Sequence, residues 1–487
     1  MIFTQYYLGC LSQASYLIGD ESTRTAVVVD PRRDVDEYVD DAAGRGLKIA
    51  HVILTHFHAD FVAGHLELRD RVGARIHLGA RAQADYDFSP LRDGDTLELG
   101  RVRLRVLETP GHTPEAISLL LYDLAVSDRE PHAVLTGDTL FIGDVGRPDL
   151  MASVGLSAPE LAGMLYDSLH EKLLTLPDAT LVYPGHGAGS ACGKHLGQER
   201  MSTIGVQRQH NYALQPMSKQ RFVETITAEL PAAPPYFAHD ADLNRRERPT
   251  LDTVLARELH RLPLEAVLAA QRDGAQLLDV RDPADFAAGH LASSLNIGLG
   301  GRFAEWAGIL LSPARPIVLV STPGRESEAA IRLARVGFDA VVGYLDGGIE
   351  AAKDRPDLVK RVERVTAAAL REIRQSDRIP ILDVRTEAEW RNDPIPGSVN
   401  VPLNQLRARL ADVPPGPRIV VHCQTGLRSS TAASLLEQVG RTGVVDLVGG
   451  IVAWKLAAEQ ETAMAGRPAE PARRVPAGSG GPPDPSR

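Results

Sequence analysis

Four short clusters in the first 190 residues of this 487-residue chain hold side chains that bind metal ions. The first, Thr55-His56-Phe57-His58-Ala59-Asp60-Phe61, sets two imidazoles and a carboxylate within five residues. That spacing is too tight for one face of a helix, so it reads as a loop cradling an ion; a solvated polar turn is the alternative for this stretch taken alone. Three more follow: Thr109-Pro110-Gly111-His112-Thr113-Pro114, Leu135-Thr136-Gly137-Asp138-Thr139-Leu140 and Val182-Tyr183-Pro184-Gly185-His186-Gly187. Each puts glycine beside a ligand candidate, which lets the backbone approach closely or take a positive φ. A different chemistry is signalled by Cys423-Gln424-Thr425-Gly426-Leu427-Arg428-Ser429-Ser430. Backbone N–H groups curling around a cysteine at a helix amino terminus lower its pKa and cradle an anion, so its sulfur becomes a nucleophile.

These residues need elements to hold them. The apolar run His51-Val52-Ile53-Leu54 reads as a buried strand leading into the first cluster. Loops at strand ends are where sites usually lie. Strand-like runs (Ser15 to Ile18, Ala26 to Asp30, Arg75 to Leu78, Val102 to Leu107) alternate with helical ones such as Asp34 to Arg45, an α/β pattern. Gln198 to Arg221 is helical but interrupted, and the proline-rich Leu230 to Phe237 reads as an extended strap closing a domain of residues 1–245.

The second half repeats itself. Leu277-Leu278-Asp279-Val280-Arg281 recurs as Ile381-Leu382-Asp383-Val384-Arg385, and Ser294-Leu295-Asn296-Ile297 as Ser398-Val399-Asn400-Val401. Two related domains follow, residues 250–357 and 362–463, each a doubly wound parallel sheet with its site at the carboxyl ends of strands. In the first copy Ser321 stands where the second has Cys423, and Glu326 replaces Arg428. A hydroxyl cannot carry a sulfane sulfur, and an acidic side chain repels an anion. Residues 466–487, rich in Gly, Pro, Ala and Ser, read as a disordered tail.

Composition narrows the partners. The chain is 44% hydrophobic and 24% charged, with net charge -10 and pI near 5.9, which gives no basic footprint for nucleic acid. It has no run of 18 apolar residues and no cationic leader, so the expectation is a cytoplasmic protein acting on small molecules, away from the membrane. Three cysteines (Cys10, Cys192, Cys423) are too few and too scattered for a disulfide framework. Cys10 reads as structural.

The four clusters, in this order, resemble the metallo-β-lactamase superfamily over the whole first segment. The resemblance implies an αββα sandwich with a metal at one edge of the sheets. The superfamily pattern at the first cluster is H-x-H-x-D-H, and here Phe61 replaces its last histidine. In the dinuclear zinc hydrolases of the superfamily, such as glyoxalase II, that histidine shares the second metal with the aspartate and the last-cluster histidine. Asp60 and His186 remain but phenylalanine cannot coordinate, which implies a mononuclear site. The segment resembles persulfide dioxygenases more closely, whose single iron is held at the positions of His56, His112 and Asp138. Two imidazoles and a carboxylate leave open positions on Fe(II). His58, Asp60 and His186 then orient ligands or bound water. The competitor is a zinc on His56, His58 and His112 that activates water for hydrolysis.

The Cys423 loop resembles the active loop of rhodaneses, with Gln424, Thr425, Gly426, Leu427 and Ser429 cradling a persulfide and Arg428 supplying fixed charge for sulfite or thiosulfate. The whole chain is similar to fusions of a persulfide dioxygenase with two rhodanese domains, one degenerate. That implies one Fe(II) per chain, with zinc as the alternative. It also implies O₂ as co-substrate and a glutathione, coenzyme A or similar persulfide as substrate. Sulfite is then converted through Cys423 to thiosulfate, in sulfide or persulfide detoxification. A glyoxalase II-like thioester hydrolase fused to a sulfurtransferase is the alternative. Cys192 lies in a glycine-rich loop with similar counterparts in such fusions, and Lys194 beside it is expected to lower its pKa; it is a candidate second working thiol, an inert buried cysteine being the other reading. The sequence is silent on oligomeric state, although dimers or tetramers are common among similar dioxygenases.

Overall fold

Among the described residues up to 203, twelve strands fall into two sheets of six, each following chain order. The first holds β1 (Ile2–Leu8), β2 (Gln13–Asp20), β3 (Thr25–Val29), β4 (Lys48–Ile53), β5 (Arg75–Gly79) and β6 (Ser89–Leu91). The second holds β7 (Thr96–Leu99), β8 (Val102–Glu108), β9 (Ile117–Asp123), β10 (Ala133–Gly137), β11 (Leu181–Pro184) and β12 (Ser202–Thr203). The computed structural model describes residues 1–150, 155–376 and 378–465; the tail at 466–487 lies outside the described residues.

Burial follows the sequence pattern. Along β8, Val102, Leu104 and Val106 point inward while Arg103 and Arg105 point out, the period of two expected of a half-buried strand. Tyr16, Ile18, Val27, Val29 and Ile53 of the first sheet meet Leu104, Val106, Leu119, Leu121 and Leu135 of the second in one core. Helices Asp36–Gly44 and His65–Val72 pack on the first sheet, and Ala158–Asp167 covers the second through Ala162 and Leu165. The layers are therefore αββα.

Two sequence expectations shift here. The segment from Gln198 resolves into two helices, Ile204–His210 and Lys219–Thr227, with a 3₁₀ turn between. The proline-rich strap runs without regular structure only to its last proline, Pro235, after which Phe237–Arg245 forms a helix.

The repeats share one topology. In the first, Arg261–Leu262, Val341–Leu345, Ile317–Val320, Gln276–Asp279 and Leu295–Asn296 lie side by side, all parallel. In the second the order is Glu363–Val365, Val444–Leu447, Ile419–His422, Ile381–Asp383 and Val399–Asn400. The recurring motif has a structural cause. Buried Arg281 forks onto Asp279 as Arg385 does onto Asp383, and Asn296 and Asn400 each donate to the two backbone carbonyls of that turn at 2.9–3.0 Å. Met1–Arg361 packs as one unit that includes the first repeat, and the chain from Val362 forms a second. No helix among the described residues is long and apolar enough to cross a membrane.

Candidate functional site

The four clusters leave the carboxyl ends of β4, β8, β10 and β11. Because β10 and β11 run parallel with Gly137 opposite Pro184, Asp138 comes next to His186. Their glycines are there for room: a Cβ on Gly185 would stand 2.5 Å from Asp138 Oδ1, and one on Gly137, whose φ is +50°, 2.6 Å from Thr55 Oγ1.

His56, His112 and Asp138, all buried, bring one ligand atom each to within 4.8 Å of one another. Their orientation is set from behind. Thr55 donates its N–H and its hydroxyl to the two oxygens of Asp30 at 2.7 and 2.8 Å, so the hydroxyl oxygen, 3.0 Å from His56 Nδ1, is left to accept that ring's N–H. His112 Nδ1 donates to the Arg147 carbonyl at 2.9 Å. Both rings thus turn an Nε2 lone pair inward, and His56 Nε2 is buried without a hydrogen-bond partner among the described residues. His186 Nδ1 lies 2.9 Å from Asp138 Oδ1 and 3.1 Å from Oδ2, and Oδ2 also faces His112 Nε2 at 3.6 Å and His56 Nε2 at 3.9 Å.

Burial depresses the pKa of His56 and of His112. Burial works the other way on Asp138, but the charges of His186 and His56 hold it well below the ordinary carboxylate range. His186 is raised well above the usual imidazole value, since Asp138 and Asp60 on either side outweigh its burial. An orphaned imidazole nitrogen and a desolvated carboxylate facing one point fit a divalent cation of the Fe(II) or zinc type.

The structure does not bring His58 into that group. Its Nε2 lies 3.0 Å from Asp30 Oδ1, and its ring sits 4.2 Å from both the His56 and the Phe61 rings. Phe61 is buried there. Asp60 Oδ2 reaches His186 Nε2 at 2.8 Å, and Asp60, His186 and Cys192 form a second buried set with ligand atoms within 4.8 Å. Cys192 therefore belongs to this second set, which His186 joins to the first through Asp138. Lys194 does not activate Cys192, contrary to the sequence expectation. The Lys194 amine donates to the Thr225 and Ala228 carbonyls at the end of helix Lys219–Thr227. Burial, with the charges of Asp60 and Asp138, instead pushes the Cys192 thiol well above its usual value.

Three contributors were missed by sequence reasoning. Asp30 follows β3 and takes a left-handed φ of 51°, a strained conformation of the kind that collects at sites; the Asp-Pro step after an apolar strand was its signal. Arg147 orients His112. Asn244 donates to the His58 and Phe61 carbonyls and accepts from the Ala63 N–H, all at 2.8 Å. Nothing local in the sequence marks it.

Cys423 is buried at the end of Ile419–His422, and Gly426, at φ +107°, donates its N–H to the sulfur at 3.2 Å before helix Leu427–Gln438 begins. Ser429 lies 3.7 Å from the sulfur and donates to Asp446 at 2.6 Å. Gln424, Thr425 and Leu427 are exposed around the loop. Arg428 departs from expectation. Its guanidinium makes a bidentate pair with Glu389, both bonds 2.7 Å, so its charge is already met. Burial opposes, but that pair and the Thr386 N–H hold Glu389 at a pKa of about 2. In the degenerate copy, buried Ser321 replaces the thiol and the Glu326 carboxylate accepts the Gly324 N–H at 2.9 Å. The loop carries its own anion. All three cysteines are free thiols.

Comparison with known proteins matches residues 8–186 to the metallo-beta-lactamase superfamily and residues 264–355 and 366–457 to the rhodanese-like domain. The mitochondrial persulfide dioxygenase ETHE1 of Bos taurus is 34% identical over 180 residues, 35% of this chain and 63% of that one. The cytoplasmic hydroxyacylglutathione hydrolase of Arabidopsis thaliana is 34% identical over 184 residues, 37% of this chain and 66% of that one. The chain thus spans about two thirds or less of these curated relatives' length. The crystal structure of a metallo-beta-lactamase from Staphylococcus aureus has 31% identity and a TM-score of 0.63. It covers 70% of this chain and 98% of its own, a match wider than the first domain alone could supply.

Proposed function

The chain belongs to the metallo-β-lactamase superfamily and carries two rhodanese-like domains, and from that premise we propose that it oxidises a low-molecular-weight thiol persulfide with O₂ and passes sulfane sulfur through Cys423. The observation that carries this reading is the convergence of His56, His112 and Asp138, with Phe61 where a further nitrogen ligand would stand. His56, His112 and Asp138 would hold Fe(II), which when bound would supply the O₂-activating redox chemistry. The residues behind them hold the geometry. His186 Nδ1, shared between the two Asp138 oxygens, holds that carboxylate beside the two imidazoles, and Thr55 and Arg147 fix which ring nitrogens point inward.

The persulfide, O₂ and one water give the free thiol, sulfite and two protons. Separately, the Cys423 thiolate attacks the outer sulfur of a second persulfide, the S–S bond breaks, and the carrier leaves as its thiol. The Gly426 N–H faces the sulfur that bears the negative charge. Sulfite then takes the outer sulfur from Cys423, releasing thiosulfate and the thiolate. Having both steps in one chain raises the local concentration of sulfite seen by Cys423.

The test is metal analysis joined to O₂ uptake on glutathione persulfide and coenzyme A persulfide. One iron per chain, O₂ consumed and sulfite or thiosulfate formed are expected. A second reading, a two-metal thioester hydrolase, draws on the Asp60, His186 and Cys192 set, whose sulfur stands in for the nitrogen missing at Phe61. Two zinc ions per chain, thioester cleavage and no O₂ uptake would establish that reading and end the first.

A further inference from the structure

The first rhodanese-like repeat has lost its cysteine, and Glu326 closes its loop from within, yet the repeat is bonded to both loops of the metal centre. Its helix Glu326–Ala334 ends against the first cluster. The Arg335 carbonyl accepts the N–H of Val62, the residue after Phe61, at 2.7 Å. The Arg335 guanidinium forks onto Asp34 at 2.6 and 2.7 Å. Arg33, 1% exposed, donates to the Ala334 carbonyl at 3.1 Å and pairs with Asp339 and with Glu67, which Arg248 also engages. Next to this, His239 lies 3.1 Å from the Gly337 carbonyl, on the same Phe237–Arg245 helix whose Asn244 holds the His58 and Phe61 carbonyls.

A separate contact reaches the other loop. Arg302 donates to the Gly189 carbonyl, between His186 and Cys192, and is steadied by its ion pair with Glu305. Helix Phe303–Leu310 is seated closely there, since a Cβ on Gly308 would come within 2.5 Å of the buried Tyr236 ring. Burial, partly offset by Arg302, pushes the Glu305 carboxyl up to about 7, and the charge of Asp60 adds to that shift.

We propose that the degenerate rhodanese-like repeat is the clamp of the metal centre, Arg335 and Arg302 being positioning residues that hold the 56–62 and 186–192 loops in the geometry that retains the metal. This rests on a metal being held at His56, His112 and Asp138, and not on which reaction it serves. A surface salt bridge by itself is worth about 0–1 kcal/mol. Here the Arg335 carbonyl and the Arg302 guanidinium end on backbone groups of the two loops, and the largely buried Arg335–Asp34 pair fixes the helix end that presents that carbonyl. Loss of groups that orient metal ligands costs about 10–100-fold in metal affinity.

The experiment uses the full-length chain loaded with Fe(II) or with Co(II), whose visible ligand-field bands report geometry. Arg335→Glu should release metal to a chelator about 10–100-fold more readily than wild type, and adding Asp34→Arg should restore retention to within about threefold. Sulfur transfer at Cys423, in the other unit, serves as the control and should stay at the wild-type rate. Arg302→Gln, at an exposed position, should shift the cobalt bands, and Arg302→Lys should return them. Wild-type retention in Arg335→Glu, or cobalt spectra of Arg302→Gln that superimpose on wild type, would overturn the proposal. Absence of O₂ uptake by the metal-loaded wild type would count against the dioxygenase reading and leave these readouts standing.

Discussion

Replacing Asn244 by alanine removes three hydrogen bonds that brace the first metal cluster from behind. The side chain is fully buried and serves the His58 carbonyl, the Phe61 carbonyl and the Ala63 N–H, each at 2.8 Å. A hydrogen bond of this kind contributes about 1–1.5 kcal/mol net, so the three together amount to about 3–4 kcal/mol. At about 1.4 kcal/mol per factor of ten, that is a few hundred-fold in the population of the ordered loop. Metal retention should fall by about 10–100-fold, since the cluster donates only one of the three ligands directly. Hydrogen exchange followed in the peptide covering residues 56–64 is the assay, because the Ala63 amide is itself one of the bonded groups; metal content after dialysis is the second readout. Asn244→Asp makes a sharper contrast: an oxygen replaces the donating nitrogen and faces two carbonyl oxygens. That variant should be worse than alanine at neutral pH and should recover part of its loss on acidification, as the buried carboxyl gains a proton it can donate. Unchanged exchange at 56–64 together with wild-type metal content in Asn244→Ala would refute the idea that this amide braces the cluster.

Cys423→Ser should abolish thiosulfate formation while O₂ uptake on persulfide continues; thiosulfate from this variant would show that the two steps are not divided as proposed. Glu389→Gln frees the Arg428 guanidinium from its bidentate partner, so the KM of Cys423 for thiosulfate should fall by about fivefold, near 1 kcal/mol, with kcat little changed. Glu305, its side chain 14% exposed, has a folded-state pKa raised from 4.5 to about 7. A raised carboxyl holds its proton more tightly when folded, so its contribution to stability is present below about 4.5 and is lost as pH rises toward 7, about 3 kcal/mol at 1.36 kcal/mol per unit. Denaturant titrations of Glu305→Gln between pH 4.5 and 7 should lack that decline.

The residues legible in the sequence were those whose chemistry is irreplaceable and whose neighbours in the chain are also neighbours in space. His56, His112, Asp138 and His186 each follow a strand, and four strands ending at one edge bring them together. Asp30 was harder, because its bond to Thr55 exists only once β3 and β4 lie parallel. Asn244 was out of reach, standing some 180 residues from the carbonyls it serves, on a helix hidden behind Pro231, Pro234 and Pro235. Lys194 shows the opposite error, in which adjacency along the chain was taken for adjacency in space while the amine turns to the end of another helix. Arg428 was read as free because its partner, Glu389, signals only as half of the Thr386 capping box, although the same carboxylate also takes the guanidinium.

The two repeats carry this lesson furthest. They share the Asp-x-Arg pair, the asparagine latch and the strand order, so the backbone scaffold is common to both and the divergence is concentrated in the loop. From Ser321 and Glu326 the sequence tells that sulfur chemistry is gone from the amino end of helix Glu326–Ala334. It cannot tell that the carboxyl end of the same helix supplies the carbonyl that receives Val62, because a backbone acceptor has no side-chain signature. A domain that is degenerate by its catalytic motif is thus bonded to the metal-site loops next door, and only the hydrogen bonds between the two show where to look.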